Sequence, residues 1–268
     1  MTLATSVLAR REHFDRVGST NDIVRAWLAA GEPEVCLAVA DEQTAGRGRN
    51  GRTWSAPPGH ALLLSLGFRP AWIAPDRVWR LAAITSLAMA EAGERLAGLS
   101  RGTIRLKWPN DLVIEGDDGA VRKLAGVLGE TEGLGTADVR AVVGIGINAD
   151  WAADAFPADL AATMTSLRAA GGRPIHTDEL LDAFLEAFEP RLLALRAGTF
   201  DAVDWSDRQL TTGRLIDLAE RDGRAAVVRA IRSDPDSGAL VIEDAALPSG
   251  TREVLTGDVV RVRLAAAV

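Results

Sequence analysis

A change of hydrophobic period near residue 210 constrains the fold of this chain more than any other feature of its sequence. Before it, Asp178 to Arg196 carries Leu180, Leu181, Phe184, Phe188, Leu192 and Leu195 at spacings of three and four. That places them on one face of a helix, with Thr177 as its expected N-cap. After it, Leu215 to Ala219, Ala225 to Ile231, Ala239 to Ile242 and Val259 to Leu264 are short runs rich in apolar and β-branched residues. Turn sequences separate them: Asp222-Gly223, Asp234-Pro235-Asp236-Ser237-Gly238 and Pro248-Ser249-Gly250. Such spacing predicts a small all-β barrel following an α+β domain, with residues 1–210 in the first unit and 211–268 in the second.

Within the first unit, Ile23, Val24, Trp27 and Leu28 predict a helix over Thr20 to Ala30, stopped by Gly31-Glu32-Pro33. Val35 to Ala40 and Ala61 to Phe68 read as buried strands. Pro75-Asp76 opens a second helix, running to about Leu96 and striped by Leu81, Ile84, Leu87 and Ala88. Further strands are expected at Ile104 to Leu106, Leu124 to Glu130 and Val139 to Ile147. The last ends in Gly144-Ile145-Gly146-Ile147-Asn148, with glycines where something must approach closely.

Hydrophobic residues make up 47% of the 268 and charged residues 25%, which excludes long disorder. The net charge of -7 argues against general affinity for nucleic acid or anionic membranes. No apolar stretch has the length of a bilayer span, and Met1 to Glu12 is too polar for a secretory signal, so a cytoplasmic protein is expected. Cys36 is the only cysteine, which leaves no internal disulfide, and it reads as a core residue. His13, His60 and His176 share no metal-ligand spacing and suggest no nucleophilic triad.

Four stretches carry the chemistry. In Gln43 to Trp54, three glycines and three arginines alternate directly after a strand. Glycine lets backbone come close to a ligand, and guanidinium offers forked donors to carboxylate or phosphate. Gly46-x-Gly48-x-x-Gly51 fits the dinucleotide fingerprint in letters only, because Trp54-Ser55-Ala56-Pro57-Pro58-Gly59 follows it instead of an apolar helix. A P-loop is excluded, since no Gly-Lys-Ser/Thr occurs. Lys107-Trp108-Pro109-Asn110-Asp111 forms a turn after a strand, Arg122-Lys123-Leu124-Ala125-Gly126 leads into another, and Gly18-Ser19-Thr20-Asn21 precedes the first helix. Taken singly, each has a plainer explanation: a solvated basic loop, a surface ion pair, charges guarding a strand end, a helix cap.

In this order and spacing, however, the motifs resemble those of the biotin protein ligase family, also called biotin–acetyl-CoA-carboxylase ligase. The resemblance covers roughly residues 14–150 and rests on Gly18 to Asn21, Gln43, Gly46 to Trp54, Lys107 to Asp111, Lys123 to Gly126 and Gly144 to Asn148. It implies a mixed-sheet catalytic domain flanked by helices, with a small C-terminal SH3-like β-barrel. It also implies two half-reactions: biotin and ATP give biotinyl-5'-AMP, and a lysine of a biotin carboxyl carrier protein then takes the biotinyl group. Magnesium is the implied cofactor. Carried over by motif, Ser19, Thr20, Asn21, Gln43, Gly46 and Gly126 would bind biotin, with Arg47, Gly48, Arg49 and Lys123 at its carboxylate. Arg47, Arg49, Arg52, Trp54, Lys107, Asn110, Lys123 and Asn148 would bind ATP or the adenylate, Trp54 by stacking on adenine. Arg47, Lys107, Lys123 and Asp111 would be catalytic, Asp111 orienting or deprotonating the incoming lysine.

Asn50 departs from a family position that is often basic, and Gly116-Asp117-Asp118-Gly119-Ala120 reads as an inserted, solvent-exposed hairpin turn. The stretch before Gly18 is too short for the DNA-binding domain of some family members, so no nucleic-acid partner is expected; open sheet edges would permit a homodimer. The Gly46 to Arg52 loop is expected to be mobile when empty, because its charges repel. Two rival readings are a lipoate or octanoate ligase of the same superfamily and a non-enzymatic biotin sensor.

Overall fold

The structure, a computed structural model, describes residues 6–220 and 223–263. Asp222 of the expected Asp222-Gly223 turn and Leu264 of the last expected strand lie outside the described residues.

The first unit is a seven-stranded mixed sheet. In chain order its elements are β1 (Arg10–Val17), α1 (Thr20–Ala29), β2 (Cys36–Gln43), β3 (Ala61–Phe68), α2 (Arg80–Ala97), β4 (Ile104–Lys107), β5 (Asp111–Glu115), β6 (Val121–Glu132), β7 (Arg140–Asn148), α3 (Leu167–Gly171), α4 (Thr177–Arg196) and α5 (Ala202–Asp207). The strand order is β1-β2-β3-β7-β6-β5-β4. β1 and β2 run parallel through the α1 crossover, and every other pair is antiparallel.

Alternation along β2 explains how both faces are covered. Leu37 and Val39 point into the main core with Leu64, Leu66, Leu81, Leu87, Phe184 and Phe188, which belong to β3, α2 and α4. Cys36 and Ala38 point the other way, into a smaller cluster with Val24 and Leu28 of α1 and Val142 of β7. With helices on both sides, β3 is buried at every position, which is why it reads as an unbroken apolar run.

On the α1 face, antiparallel register lines up the small residues. Ser65 lies opposite Gly144, and Gly146 lies between Leu63 and Gly126. On this face α1 packs Val24 and Leu28 over Gly67 and sets Asn21 over Gly144, and beside them a polar slot is walled by Gly144, Gly146 and Gly126.

The second unit is a five-stranded antiparallel sheet of β8 (Leu215–Glu220), β9 (Ala225–Ser233), β10 (Leu240–Glu243), β11 (Thr251–Val254) and β12 (Gly257–Val262), in the order β11-β10-β9-β8-β12. The all-β character and the antiparallel pairing of this unit are as expected from sequence. Among the described residues the end strands β11 and β12 are not paired with each other. Trp108, from the turn between β4 and β5, is built into this sheet's core beside Ile216, Leu218, Leu240 and Val254, and its Nε1 donates to the Gly238 carbonyl at 3.1 Å.

Five elements were not expected from sequence, among them β5, whose apolar run Leu112-Val113-Ile114 is only three residues long. β1 is an edge strand with alternating half-exposed residues, and β11 is mostly polar, so neither offers an apolar run. α3 and α5 are too short to show a period. His176, not Thr177, occupies the N-cap position of α4, and Pro75 opens a short 3-10 turn ahead of α2. The Gly116 to Ala120 stretch is the β5–β6 hairpin turn, as its acidity predicted.

Candidate active site

Ser19 holds the N-cap position of α1 with extended φ and ψ of -156° and 134°, yet its side chain makes no capping bond. The capping is done by Gln43 at the end of β2, whose Oε1 accepts from the Thr20 backbone N–H at 2.7 Å and the Thr20 hydroxyl at 3.0 Å. The plainer reading of Ser19 as a helix cap therefore fails. Asn21 is pinned from both ends. Its Nδ2 donates to Glu130 Oε2 at 2.6 Å, and its Oδ1 accepts from the Ser65 hydroxyl at 2.6 Å. Ser65 is fully buried, and Thr20 and Asn21 are nearly so. A Cβ on Gly144 would come within 2.1 Å of Asn21 Oδ1, so the wall needs glycine there.

The glycine–arginine stretch is a hairpin rather than a loose loop. Gly48 N donates to Arg52 O at 2.7 Å and Trp54 N to Gly46 O at 3.0 Å. A Cβ on Gly46 would meet the Trp54 carbonyl at 2.4 Å. Asn50 sits in the left-handed region at φ 55°, a conformation that asparagine tolerates better than a long basic residue. That accounts for the departure at this position. Each arginine of the hairpin lies near a carboxylate. Arg47 takes Asp22 in a forked contact at 2.7 and 2.8 Å, with Glu130 3.6 Å away. Arg49 and Arg52 both reach Asp258 of β12. The Arg47 guanidinium in turn holds the Asp22 carboxyl below the usual carboxylate range.

Beside the hairpin, Asp111 stands between two ammonium groups, Lys123 Nζ at 2.6 Å and Lys107 Nζ at 3.1 Å. Both Asp111 and Lys107 are mostly buried, at 12% and 17% side-chain exposure, so the pair is not the surface contact that its spacing also allowed. Lys107 also donates to the Val259 carbonyl. Asn110 donates from Nδ2 to Val127 O at 2.7 Å and so locks the turn to β6. The Trp54 ring packs against Gly146 and Gly126, with Lys123 Nζ 5.6 Å from a ring centroid.

Two cavities meet under the hairpin. The smaller, about 110 Å³, is walled by Ser19, Thr20, Asn21, Gln43, Trp54, Lys123, Gly126, Gly144 and Gly146. The larger, about 910 Å³, is lined by Gly46, Lys107, Trp108, Trp79 and Gly238. Arg47, Gly48, Arg49, Arg52, Asn110 and Asp111 border both. The cations from three separate stretches are thus brought to one place. Asn148 is the exception: it is buried, lines neither cavity, and donates from Nδ2 to Thr165 O at 2.9 Å. The Thr165 N–H and Thr163 carbonyl bracket the backbone of Lys123, so Asn148 sits behind that lysine.

Sequence reasoning missed Asp22, Ser65, Glu130 and Asp258. Ser65 had a legible signal, a hydroxyl inside the apolar run Leu62-Leu63-Leu64-Ser65-Leu66. For magnesium, no group of three or more histidine, cysteine or carboxylate side chains among the described residues could hold a metal ion. Asp111 and Glu130 already face cations. These donors do not fit a protein-built magnesium cage.

A mixed sheet with flanking helices, adjoined by a small antiparallel sheet, is the fold of solved biotin protein ligases. The enzyme from Aquifex aeolicus, solved in complex with biotin and ATP, superposes with a TM-score of 0.73 at 24% identity, over 94% of this chain and 97% of that one. The model of the Biotin/lipoate A/B protein ligase family matches residues 13–148, and the chain belongs to that family. It is 32% identical over 251 residues to the biotin–[acetyl-CoA-carboxylase] ligase of Mycobacterium tuberculosis (strain ATCC 25618 / H37Rv), covering 92% of this chain and 87% of that protein. It is 33% identical over 190 residues to the bifunctional ligase/repressor BirA of Bacillus spizizenii, covering 70% of this chain. There the match spans just over half, 56%, of the relative's length.

Proposed function

We propose that this chain activates biotin with ATP and transfers the biotinyl group to a lysine of a biotin carboxyl carrier protein. In the first step a carboxylate oxygen of biotin attacks the α-phosphorus of ATP, pyrophosphate leaves, and biotinyl-5'-AMP forms. In the second, the acceptor amine attacks the anhydride carbonyl carbon, its proton is lost to solvent, and AMP leaves. Ser19, Thr20, Asn21 and Gln43 supply donors and acceptors for the ureido ring. Gly46, Gly48 and Gly126 let backbone approach. Arg47, Arg49 and Lys123 meet the carboxylate and α-phosphate; Arg52, Lys107 and Asn110 serve the phosphates. Trp54 gives a face for adenine, and Asp111 sets Lys107 and Lys123 on either side of the reacting junction and orients the acceptor amine. Charge builds on oxygen in both steps, and cations already in place stabilise it without reorganisation. Magnesium would arrive on the ATP phosphates, held by their oxygens and water.

The observation that carries the reading is the meeting of Lys107 and Lys123 on Asp111 beside a polar slot roofed by Arg47. The smaller cavity is set with ring-sized polar partners, which suits biotin better than the acyl chain of lipoate. A net charge of -7 fits a protein acceptor better than nucleic acid, and a cytoplasmic location is part of the same proposal.

The test is incubation with ATP, labelled biotin or labelled lipoate, and a purified carrier domain. Label from biotin should enter the carrier only with ATP present, releasing pyrophosphate and AMP. Transfer of lipoate in its place would assign the chain to the other branch of the family, and absence of any adenylate would remove the enzymatic reading.

A further inference from the structure

Two contacts from β12 reach the charged side chains of the site. One is the Val259 carbonyl, which accepts from Lys107 Nζ at 3.1 Å. The other is the residue before it. Asp258, 16% exposed, turns one carboxylate onto three side chains of the hairpin: Asn50 Nδ2 at 2.8 Å, Arg49 at 3.4 Å, and Arg52. Asp258 is set in the sheet by pairing opposite Ala219 of β8, so its backbone does not travel with the hairpin.

At its other end the hairpin is held by Arg47 on Asp22, at the start of α1. Between these two holds lie glycines and a left-handed Asn50, a backbone that costs much conformational entropy to fix. Few main-chain bonds are available to offset that cost: Gly48 to Arg52, Arg52 to Arg49, and Trp54 to Gly46. The same residues border both cavities, so wherever the tip goes, the roof over the smaller cavity goes with it.

We propose that Asp258 is a positioning residue, a counter-charge on the C-terminal sheet that holds the Arg49–Arg52 tip down and keeps an adenylate enclosed. It touches no substrate and acts through Arg49, Asn50 and Arg52. Because Arg52 is 63% exposed, its contact is worth little, and the hold rests mainly on Arg49 and Asn50. The inference builds on the proposed reaction, and it gives the C-terminal sheet a part in that reaction.

The test compares the full chain with Asp258→Ala, with the near-isosteric Asp258→Asn should the alanine variant fold poorly, and with Asp258→Glu. Hydrogen exchange of residues 46–54 without ligand reads the hold by itself. Release of preformed biotinyl-AMP, followed by chase with unlabelled biotin and ATP, reads its use. Removing the charge should speed exchange of the hairpin and speed adenylate release about tenfold, with the thermal midpoint unchanged and Asp258→Glu restoring much of both. Exchange and release at wild-type rates in a folded Asp258→Ala or Asp258→Asn protein would overturn the proposal. So would a lowered midpoint with exchange raised throughout the chain, which would make Asp258 merely structural. A wild type that forms no adenylate while Asp258→Ala still loosens the hairpin would sink the proposed reaction and the enclosing role together, leaving only the hold.

Discussion

At the scale of single residues, the site is an assembly of charges that neutralise one another before any substrate arrives. Lys123 has Asp111 at 2.6 Å and Arg47 has Asp22 at 2.7 Å, so each cation is held in place beside the cavities without being left bare. Replacing Lys123 or Arg47 by alanine should lower adenylate formation by about two orders of magnitude, the usual scale for losing one charge-stabilising donor. Single-turnover pyrophosphate release checks this, and near-normal rates would remove that residue from its role. The Asp22–Arg47 contact also has a definite pH dependence. Arg47 depresses the Asp22 carboxyl in the folded state, so the contact's contribution is present above the ordinary aspartate range and lost as pH falls through the lowered value. Exchange protection of the hairpin, corrected for intrinsic rates, should be flat from about pH 8 to 5 and fall only below about pH 4. A loss of protection near neutrality would mean that Asp22 is not what holds Arg47. These cations were legible in the sequence as motifs. Their partners were not, because an aspartate that serves an arginine on another element looks like any surface aspartate.

At the scale of elements, the slot exists because three glycines come into line across two strands. Gly144 and Gly146 alternate along β7, and antiparallel register sets Gly126 of β6 beside Gly146. Sequence alone indicated that something approaches β7 closely; the register identifies what. Asn21 stands over Gly144, and the Trp54 indole, whose atoms would lie within 2.5 Å of a Cβ, stands over Gly146. Gly144→Ala should therefore displace an asparagine fixed by Ser65 and Glu130, and weaken biotin binding at least about tenfold by calorimetry. An unchanged dissociation constant would show that this wall does not receive the ring. A different element-level contact secures α2 to the edge of the sheet: Arg208 donates to both Glu94 oxygens at 2.9 and 3.0 Å and to the Ile104 carbonyl, with all three residues buried. Arg208→Ala would strand the Glu94 carboxylate in the interior and should cost about 3–5 kcal/mol in urea denaturation. A change below about 1 kcal/mol would mean that water reaches Glu94.

At the scale of the whole molecule, the two sheets are joined through the site. Trp108 leaves the β4–β5 turn to enter the core of the second sheet, while Lys107 and Asp111 on either side of it face the cavities. Trp108→Ala should remove about 3–5 kcal/mol of stability, measured by circular dichroism in urea, and lower activity together with it by misplacing Lys107. Stability lost at full activity would show that the second sheet does not position the turn. By itself the sequence determined the longer helices α1, α2 and α4, the buried strands, the change to short β runs near residue 210, and the motifs on which family membership rests. Those features are written in local periods of two and three-to-four residues and in unbroken runs of special residue types. Only the tertiary structure decided that Trp108 enters the core of the second sheet, that Asn148 backs Lys123 instead of lining a cavity, and that Asp22, Glu130 and Asp258 hold the arginines. Such contacts join residues as far apart as Arg49 and Asp258, and pairing across that distance depends on strand order and register, which no local pattern encodes.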